Sequence, residues 1–356
     1  MKQDNLILLN SRPLAKGAGA KNHIPSKDDP LFFLHIPKTA GTSLRKLVDH
    51  YYPYPQGVHL YERINDADPA FYEELKKARS FYGHFAYGLH NRISIKGSYI
   101  TFLREPSERV ISYYNHQARI PGTAHHAKIT DGLSLVELLN NYQEPQMSNH
   151  MVRLISGMGV EKLKDEDYFE PLNRAIKNIE KDFLFVGLIE ELSDSMKVLS
   201  EFLGWSKRHH NLPITNVNPS PKSRLVDDET LKLIRSYNRL DYLLYEYVRW
   251  QLKALINPDV PSLRLHIINP KHHPKKAKDT FRLRGWLLAD QAIQAIKLKD
   301  GTELPPMKND ASRKAVANYP FVKSFSTLLA ADSIQDNQLS LELHFENFQG
   351  DYHYYL

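Results

Sequence analysis

The sequence predicts an α/β fold: a doubly wound, three-layer parallel sheet flanked by helices, followed by a smaller C-terminal β-rich domain. Three observations predict it. Short apolar runs alternate with amphipathic stretches from Leu31 to Leu255, as βα units feeding a parallel sheet do. Two of those runs, LFFLHI and YITFL, pass directly into a polar turn and a helical pattern. Beyond Asn257 the pattern changes to a period of two, the spacing of strands.

Taken in order, residues 1–30 are polar with scattered Gly, Pro and Lys, an extended lead-in. Leu31–Ile36 is a continuous apolar run, as expected of a strand buried on both faces. Gly41–Tyr52 suits a helix, with Leu44, Leu47 and Val48 on one apolar face. Pro69–Arg79 fits a helix and Ser80–Gly83 a short strand. Tyr99–Leu103 is a third strand, and Pro106 suits the first turn of the helix after it. Helices follow around 133–141, 145–156 and 170–181, then a strand at Asp182–Leu188 and a helix at Ser193–Phe202. Asn211–Arg224 is a Pro/Asn/Ser loop, and Asp227–Leu255 one long amphipathic helix. The stretch NPDVPSLRLHIINPKHHPKKAKDT has the composition of a linker. After it, FRLRGWLLADQAIQAIKLKDGTELPP and LSLELHFENF alternate as strands do, around a Lys-Asp-Gly turn. The expected division is a lead-in over 1–30, an α/β domain over 31–256, and a basic linker with β-rich domain over 257–356.

The 356 residues are 42% hydrophobic and 25% charged, enough to bury a sizeable core. The absence of cysteine excludes disulfides, thiolate metal sites and a cysteine nucleophile. A net charge of +6 favours anionic ligands. Much of the excess lies between Arg264 and Arg284, where seven Lys/Arg face the single Asp279; that run is a solvated face or a polyanion contact. Near the N-terminus the apolar run Leu6–Leu9 is shorter than the ~7–15 residues of a secretory core or the ~20 of a spanning helix. The expectation is a cytoplasmic protein without a membrane span.

Chemistry concentrates in two places. In HIPKTAGTSL a buried strand, a glycine-containing loop and a helix start offer backbone N–H groups and a dipole end to an anion. Lys38 adds charge, Thr39, Thr42 and Ser43 add hydroxyls, and Gly41 lets backbone approach a phosphate closely. The Gly-Lys-Ser/Thr ending of a triphosphate loop is missing, so this P-loop-like segment suits one phosphate without an obligatory metal ion. The alternative is that the hydroxyls merely cap the helix. In YITFLREPSERVISYYNH, Arg104 ends a strand where ligands of open α/β sheets gather. Arg109 and Ser112, three apart on the following helix, share a face and can meet the same anion.

Two phosphate sites on one sheet imply a nucleotide phosphorylated at both ends. Here the chain resembles the sulfotransferases that use 3′-phosphoadenosine 5′-phosphosulfate. It is most similar to bacterial relatives of the carbohydrate sulfotransferases, including the uronyl 2-O-sulfotransferase type. The resemblance rests on PKTAGTS and LREPSERVISYY, with SNHMVRLISG, DFLFVGLIEEL and DDETLKLIRSYNRLDYLLYEYV, and covers about residues 31–250. It implies that Lys38 contacts the bridging and leaving phosphate oxygens, with Thr39, Gly41, Thr42 and Ser43 completing the 5′ cradle. Arg104 and Ser112 would hold the 3′-phosphate with help from Arg109, and Lys222 or Arg224 in NPSPKSR would close over the nucleotide. It also implies that His84, in Gly83-His84, is the catalytic base. Histidine titrates near neutrality, which suits that task. Where those relatives often carry a further histidine, this chain has Tyr82.

His35 is expected as a packed residue or a neighbour of the site, and His90, His125 and His126 lie in loops. His125-His126 lacks the companions of a metal site. The implied partners are the nucleotide donor and a carbohydrate or other hydroxyl acceptor, with no metal and no nucleic acid. Two rivals stay open: an ATP-dependent small-molecule kinase with a degenerate loop, and a non-catalytic protein that binds polyanions or glycans.

Overall fold

The structure, a computed structural model, describes residues 28–61, 71, 73, 75–142, 144–158, 169–206, 226–269, 280–306, 321–330, 334 and 338–355. Its described residues divide into two units, one up to Tyr245 and one from Glu246 onward. The division falls inside the last helix rather than at Asn257, where the composition changes.

In the first unit a five-stranded sheet has the order β2-β3-β1-β4-β5. The strands are β1 (Leu31–Leu34), β2 (Gly57–Leu60), β3 (Ser80–Gly83), β4 (Ser98–Leu103) and β5 (Phe183–Leu188), and every pairing is parallel. The helices around it are α1 (Gly41–Tyr51), α2 (Leu89–Arg92), α3 (Pro106–Arg119), α4 (His126–Thr130), α5 (Leu135–Tyr142), α6 (His150–Ser156), α7 (Glu170–Asp182), α8 (Leu192–Leu203), α9 (Asp228–Tyr237) and α10 (Arg239–Ile256). None of the described helices is long and apolar enough to cross a membrane.

Continuous apolar runs form the central strands because both faces are covered: Leu31 to Leu34 are all buried. Phe32 stacks between Phe81 and Tyr99, with both ring centroids 4.9 Å away. Each such side chain contributes roughly 1.5–3 kcal/mol through burial. The edge strand β2 was not foreseen. Only Gly57 and Leu60 of its four residues are buried, too little for a legible pattern.

The single helix expected over Asp227–Leu255 is two helices, α9 and α10, broken at Asn238. Asn238 is wholly buried. Its amide donates to the carbonyls of Met147 (2.8 Å) and Ile234 (2.9 Å) and its Oδ1 accepts from Asn149 N–H (3.0 Å). These tertiary bonds outweigh helical continuation.

The second unit holds β6 (Leu263–Asn269), β7 (Thr280–Ala289), β8 (Ile293–Leu298), β9 (Phe321–Ala330), β10 (Gln338–Phe345) and β11 (Gln349–Tyr355). They form two three-stranded sheets, β6-β7-β9 and β11-β10-β8, with antiparallel pairings. Leu339, Leu341, Leu343 and Phe345 face inward on β10, as the period of two requires. The Lys-Asp-Gly turn forms with Gly301 at φ 85 and the Asp300 carboxylate accepting from Thr302 N–H at 2.8 Å. Strand β6 lies within the stretch read as linker, because a strand paired along its length needs no further sequence signal than LRLHII.

Candidate active site

Three strand ends meet at one edge of the first sheet. β1 delivers Pro37–Ala40 and the start of α1, β3 delivers Gly83-His84, and β4 delivers Arg104. The register aligns them, with Leu34 beside Gly83 and Phe33 beside Ile100. β3 and β4 flank β1 on opposite sides, so the crevice beyond their carboxyl ends is where an open α/β sheet receives ligands.

The loop after β1 is built for an anion. Lys38 (φ 75) and Ala40 (φ 57) are left-handed, and such alternation is the backbone pattern of anion nests. Ala40 is the N-cap of α1 and supplies no capping side chain. Ser43 N–H turns back to Ala40 O at 3.1 Å, so the N–H groups of Gly41 and Thr42 are the ones a bound anion would meet at this helix start. Thr39 is wholly buried and donates its hydroxyl to Ile36 O at 2.8 Å, so it braces the bend. Thr42 is exposed and Ser43 buried at the helix start.

Gly41 also serves a purpose beyond the expected one. A Cβ there would lie 2.0 Å from both Cε1 and Nε2 of His35. Its bare Cα makes room for that imidazole, a close approach by a side chain that the sequence does not show.

Arg104 ties β4 to the loop, donating through Nη1 to Lys38 O at 3.3 Å. Glu108 Oε2 lies 3.4 Å from its Nη2, too long for a strong ion pair. Its Nε is buried without a partner among the described residues. A buried orphan donor is costly, about 1–3 kcal/mol, and an anion at this edge would satisfy it. Ser112 is buried two turns into α3, and one turn further burial, helped by the Lys38 and Arg119 charges, lowers the pKa of His116. His116 escaped the sequence reading, although its spacing of four from Ser112 puts both on one helix face.

Arg109 departs from the expectation of a phosphate shared with Ser112. It is wholly buried, and its Nη2 donates to Gln146 O at 2.6 Å. Burial lowers its pKa while the Asp241 carboxylate opposes the shift. Asp241, also wholly buried, accepts from the backbone N–H groups of Met151 (3.1 Å) and Val152 (2.8 Å) at the start of α6. Arg109 thus belongs to a buried charge network beneath the crevice. Lys222 and Arg224 lie outside the described residues.

His84 is an exposed residue at the crevice whose ring is perpendicular to that of Tyr61 (centroids 4.9 Å, 89°). Its Nε2 is 3.0 Å from Nδ1 of His35. Desolvation lowers the His84 pKa, so the ring is neutral at pH 7. His35 is 8% exposed and pushed down to about 3, first by burial and then by the charges of His84, Lys38 and Arg45. Tyr82 is buried beneath this pair, stacks on His35 (5.2 Å, 26°) and donates to Gly41 O at 2.8 Å. Burial pushes its pKa far up, so it anchors α1 and cannot exchange a proton near neutrality. Of the three histidines expected in loops, His90 lies on α2 and His126 opens α4, and each is engaged away from the crevice: His90 with the Tyr99 hydroxyl (2.8 Å), His125 with Glu144 (2.7 Å) and His126 with Gln117 O (3.2 Å).

The model described as the sulfotransferase family matches residues 21–248, a span that includes all three strand ends. Human uronyl 2-sulfotransferase is 24% identical over 200 residues, covering 49% of this chain and 47% of that protein. Mouse uronyl 2-sulfotransferase is 25% identical over 181 residues, covering 44% and 43%. The match thus spans less than half the length of these curated relatives.

Proposed function

The chain belongs to the sulfotransferase family, and from that premise we propose that it moves a sulfuryl group from 3′-phosphoadenosine 5′-phosphosulfate to a hydroxyl of a carbohydrate. The observation that carries this reading is the meeting, at one sheet edge, of an uncapped helix start and an orphaned Arg104 Nε with the neutral imidazole of His84. The relatives' names, uronyl 2-sulfotransferase, support a sugar as the acceptor.

The donor supplies an activated sulfur–oxygen bond. The chain's own task is to take the hydroxyl proton and to meet the charge that gathers on the departing phosphate. As the acceptor oxygen bonds to sulfur and the sulfur–oxygen bond to phosphate breaks, the hydroxyl proton passes to His84. Lys38 and the N–H groups opening α1 receive the 5′-phosphate, and Arg104 and Ser112 hold the 3′-phosphate. Arg109 acts from below through Gln146 and Asp241. No step calls on a metal ion.

A thermal-shift titration with 3′,5′-bisphosphoadenosine in the presence of a chelator tests the donor assignment. The bisphosphate should raise the Tm of the full chain, and Lys38→Ala and Arg104→Ala should each remove most of the shift. A shift with magnesium ATP and none with the bisphosphate would replace this reading with the kinase one.

A further inference from the structure

We infer that His35 is a positioning residue for His84: its Nδ1 accepts a hydrogen bond from His84 Nε2–H, leaving Nδ1 of His84 to take the acceptor proton. The inference rests on the proposed role of His84 as base.

The strand register brings the rings together. His35 N–H bonds to Gly83 O at 2.9 Å, so the residues after β1 and β3 run side by side. Their rings then meet, Nδ1 to Nε2, at 3.0 Å. His35 has little room to turn. Gly41 lies against one side, where a Cβ would be 2.0 Å from the ring, and Tyr82 stacks on it at 5.2 Å. With Nε2 of His84 engaged, Nδ1 is the ring nitrogen left for a substrate.

A neutral imidazole carries one N–H and one lone pair, so a pair at 3.0 Å needs a donor on one ring and an acceptor on the other. If His35 donated, the lone pair of His84 Nε2 would be occupied, its Nδ1 would hold a hydrogen, and no site for a proton would remain. His84 can act only when His35 is the acceptor. His35 keeps its lone pair because burial disfavours a charge on it, and His84, Lys38 from the loop and Arg45 from α1 oppose that charge further. Tyr82 and Tyr61 face the pair uncharged, since burial raises both. His150 on α6, within electrostatic range of His84, is likewise held neutral by burial.

The arrangement favours the transition state over the resting state. When Nδ1 of His84 takes the proton, its Nε2–H becomes the donor of a charge-assisted bond, roughly twice as strong as a neutral one. The bond tightens in step with proton transfer, which is the requirement for accelerating the chemical step. Nε2 of His35 then carries a hydrogen with no partner among the described residues.

The test is a long-range proton–nitrogen correlation spectrum of the full chain, labelled with nitrogen-15 histidine, at pH 7.5. His84 should be in the Nε2–H form; a His84 in the Nδ1–H form with bare Nε2 would overturn the proposal. Alongside it, His35→Phe should keep the bisphosphate Tm shift while kcat falls about 10- to 100-fold, the range known for partners that orient metal-bound imidazoles. His35→Asn, which keeps an oxygen near the Nδ1 position, should recover at least about tenfold over His35→Phe. Wild-type kcat in His35→Phe would also overturn it. Should the phenylalanine variant not fold, His35→Asn and the spectrum decide. If the wild-type chain transfers no sulfuryl group, the functional reading fails, and the spectrum still settles which ring donates.

Discussion

At the scale of single residues, the pH dependence of His84 has a definite sign. Its folded pKa lies below the ordinary 6.5 through desolvation, so the neutral, proton-accepting form persists below that pH. The acid limb of kcat/KM should therefore fall at a pH below 6.5, and a limb above 7 would exclude this imidazole as the base. Gly41→Ala should displace the His35 ring, cost about 1–3 kcal/mol by overpacking, and lower kcat more than donor affinity; urea denaturation and bisphosphate titration separate the two effects. The positions of Lys38, Arg104 and His84 at the ligand edge were legible because each directly follows a buried apolar run. The pairing of His35 with His84 was not, because the rings are 49 residues apart and meet only through the register of β1 with β3. The burial of Arg109 was hidden for a related reason. Helical spacing shows that it shares a face with Ser112, but not that its guanidinium turns inward to Gln146.

Among elements, the join between α6 and α10 holds the floor of the crevice. Asp241 caps the α6 start through two backbone N–H groups and faces the charges of Arg109 and Arg153. Burial raises its pKa, and those four groups oppose the rise. Asp241→Ala would strand Arg109 in the interior, at a cost of roughly 3–5 kcal/mol, read as a lower urea midpoint. A variant within about 0.5 kcal/mol of wild type would show that the network is not what holds α6. Four of the five parallel strands, all but β2, were legible in the sequence. The break at Asn238 was not, since its cause is a set of hydrogen bonds to Met147 and Asn149, some ninety positions earlier.

For the whole molecule, the division into an α/β unit and a β-rich unit was legible from the change of period, while β6 was hidden inside a basic, proline-rich stretch. Acid sensitivity belongs to this scale. His35 is held at about 3 against 6.5 when unfolded, so its contribution is fully present above pH 6.5 and is lost as pH falls towards 3. At pH 5 it should remove about 2 kcal/mol of stability, and His35→Phe should flatten the fall in urea stability between pH 7.5 and 5. The chain's chemistry is tested by incubating full-length protein with radiolabelled 3′-phosphoadenosine 5′-phosphosulfate and uronate-containing glycans, beside His84→Ala. Label should enter a glycan with the wild type and fall at least about 100-fold in the variant, while both proteins keep their bisphosphate Tm shift. Undiminished labelling by His84→Ala, or none by a wild type that binds the bisphosphate, would refute base-assisted sulfuryl transfer to these sugars.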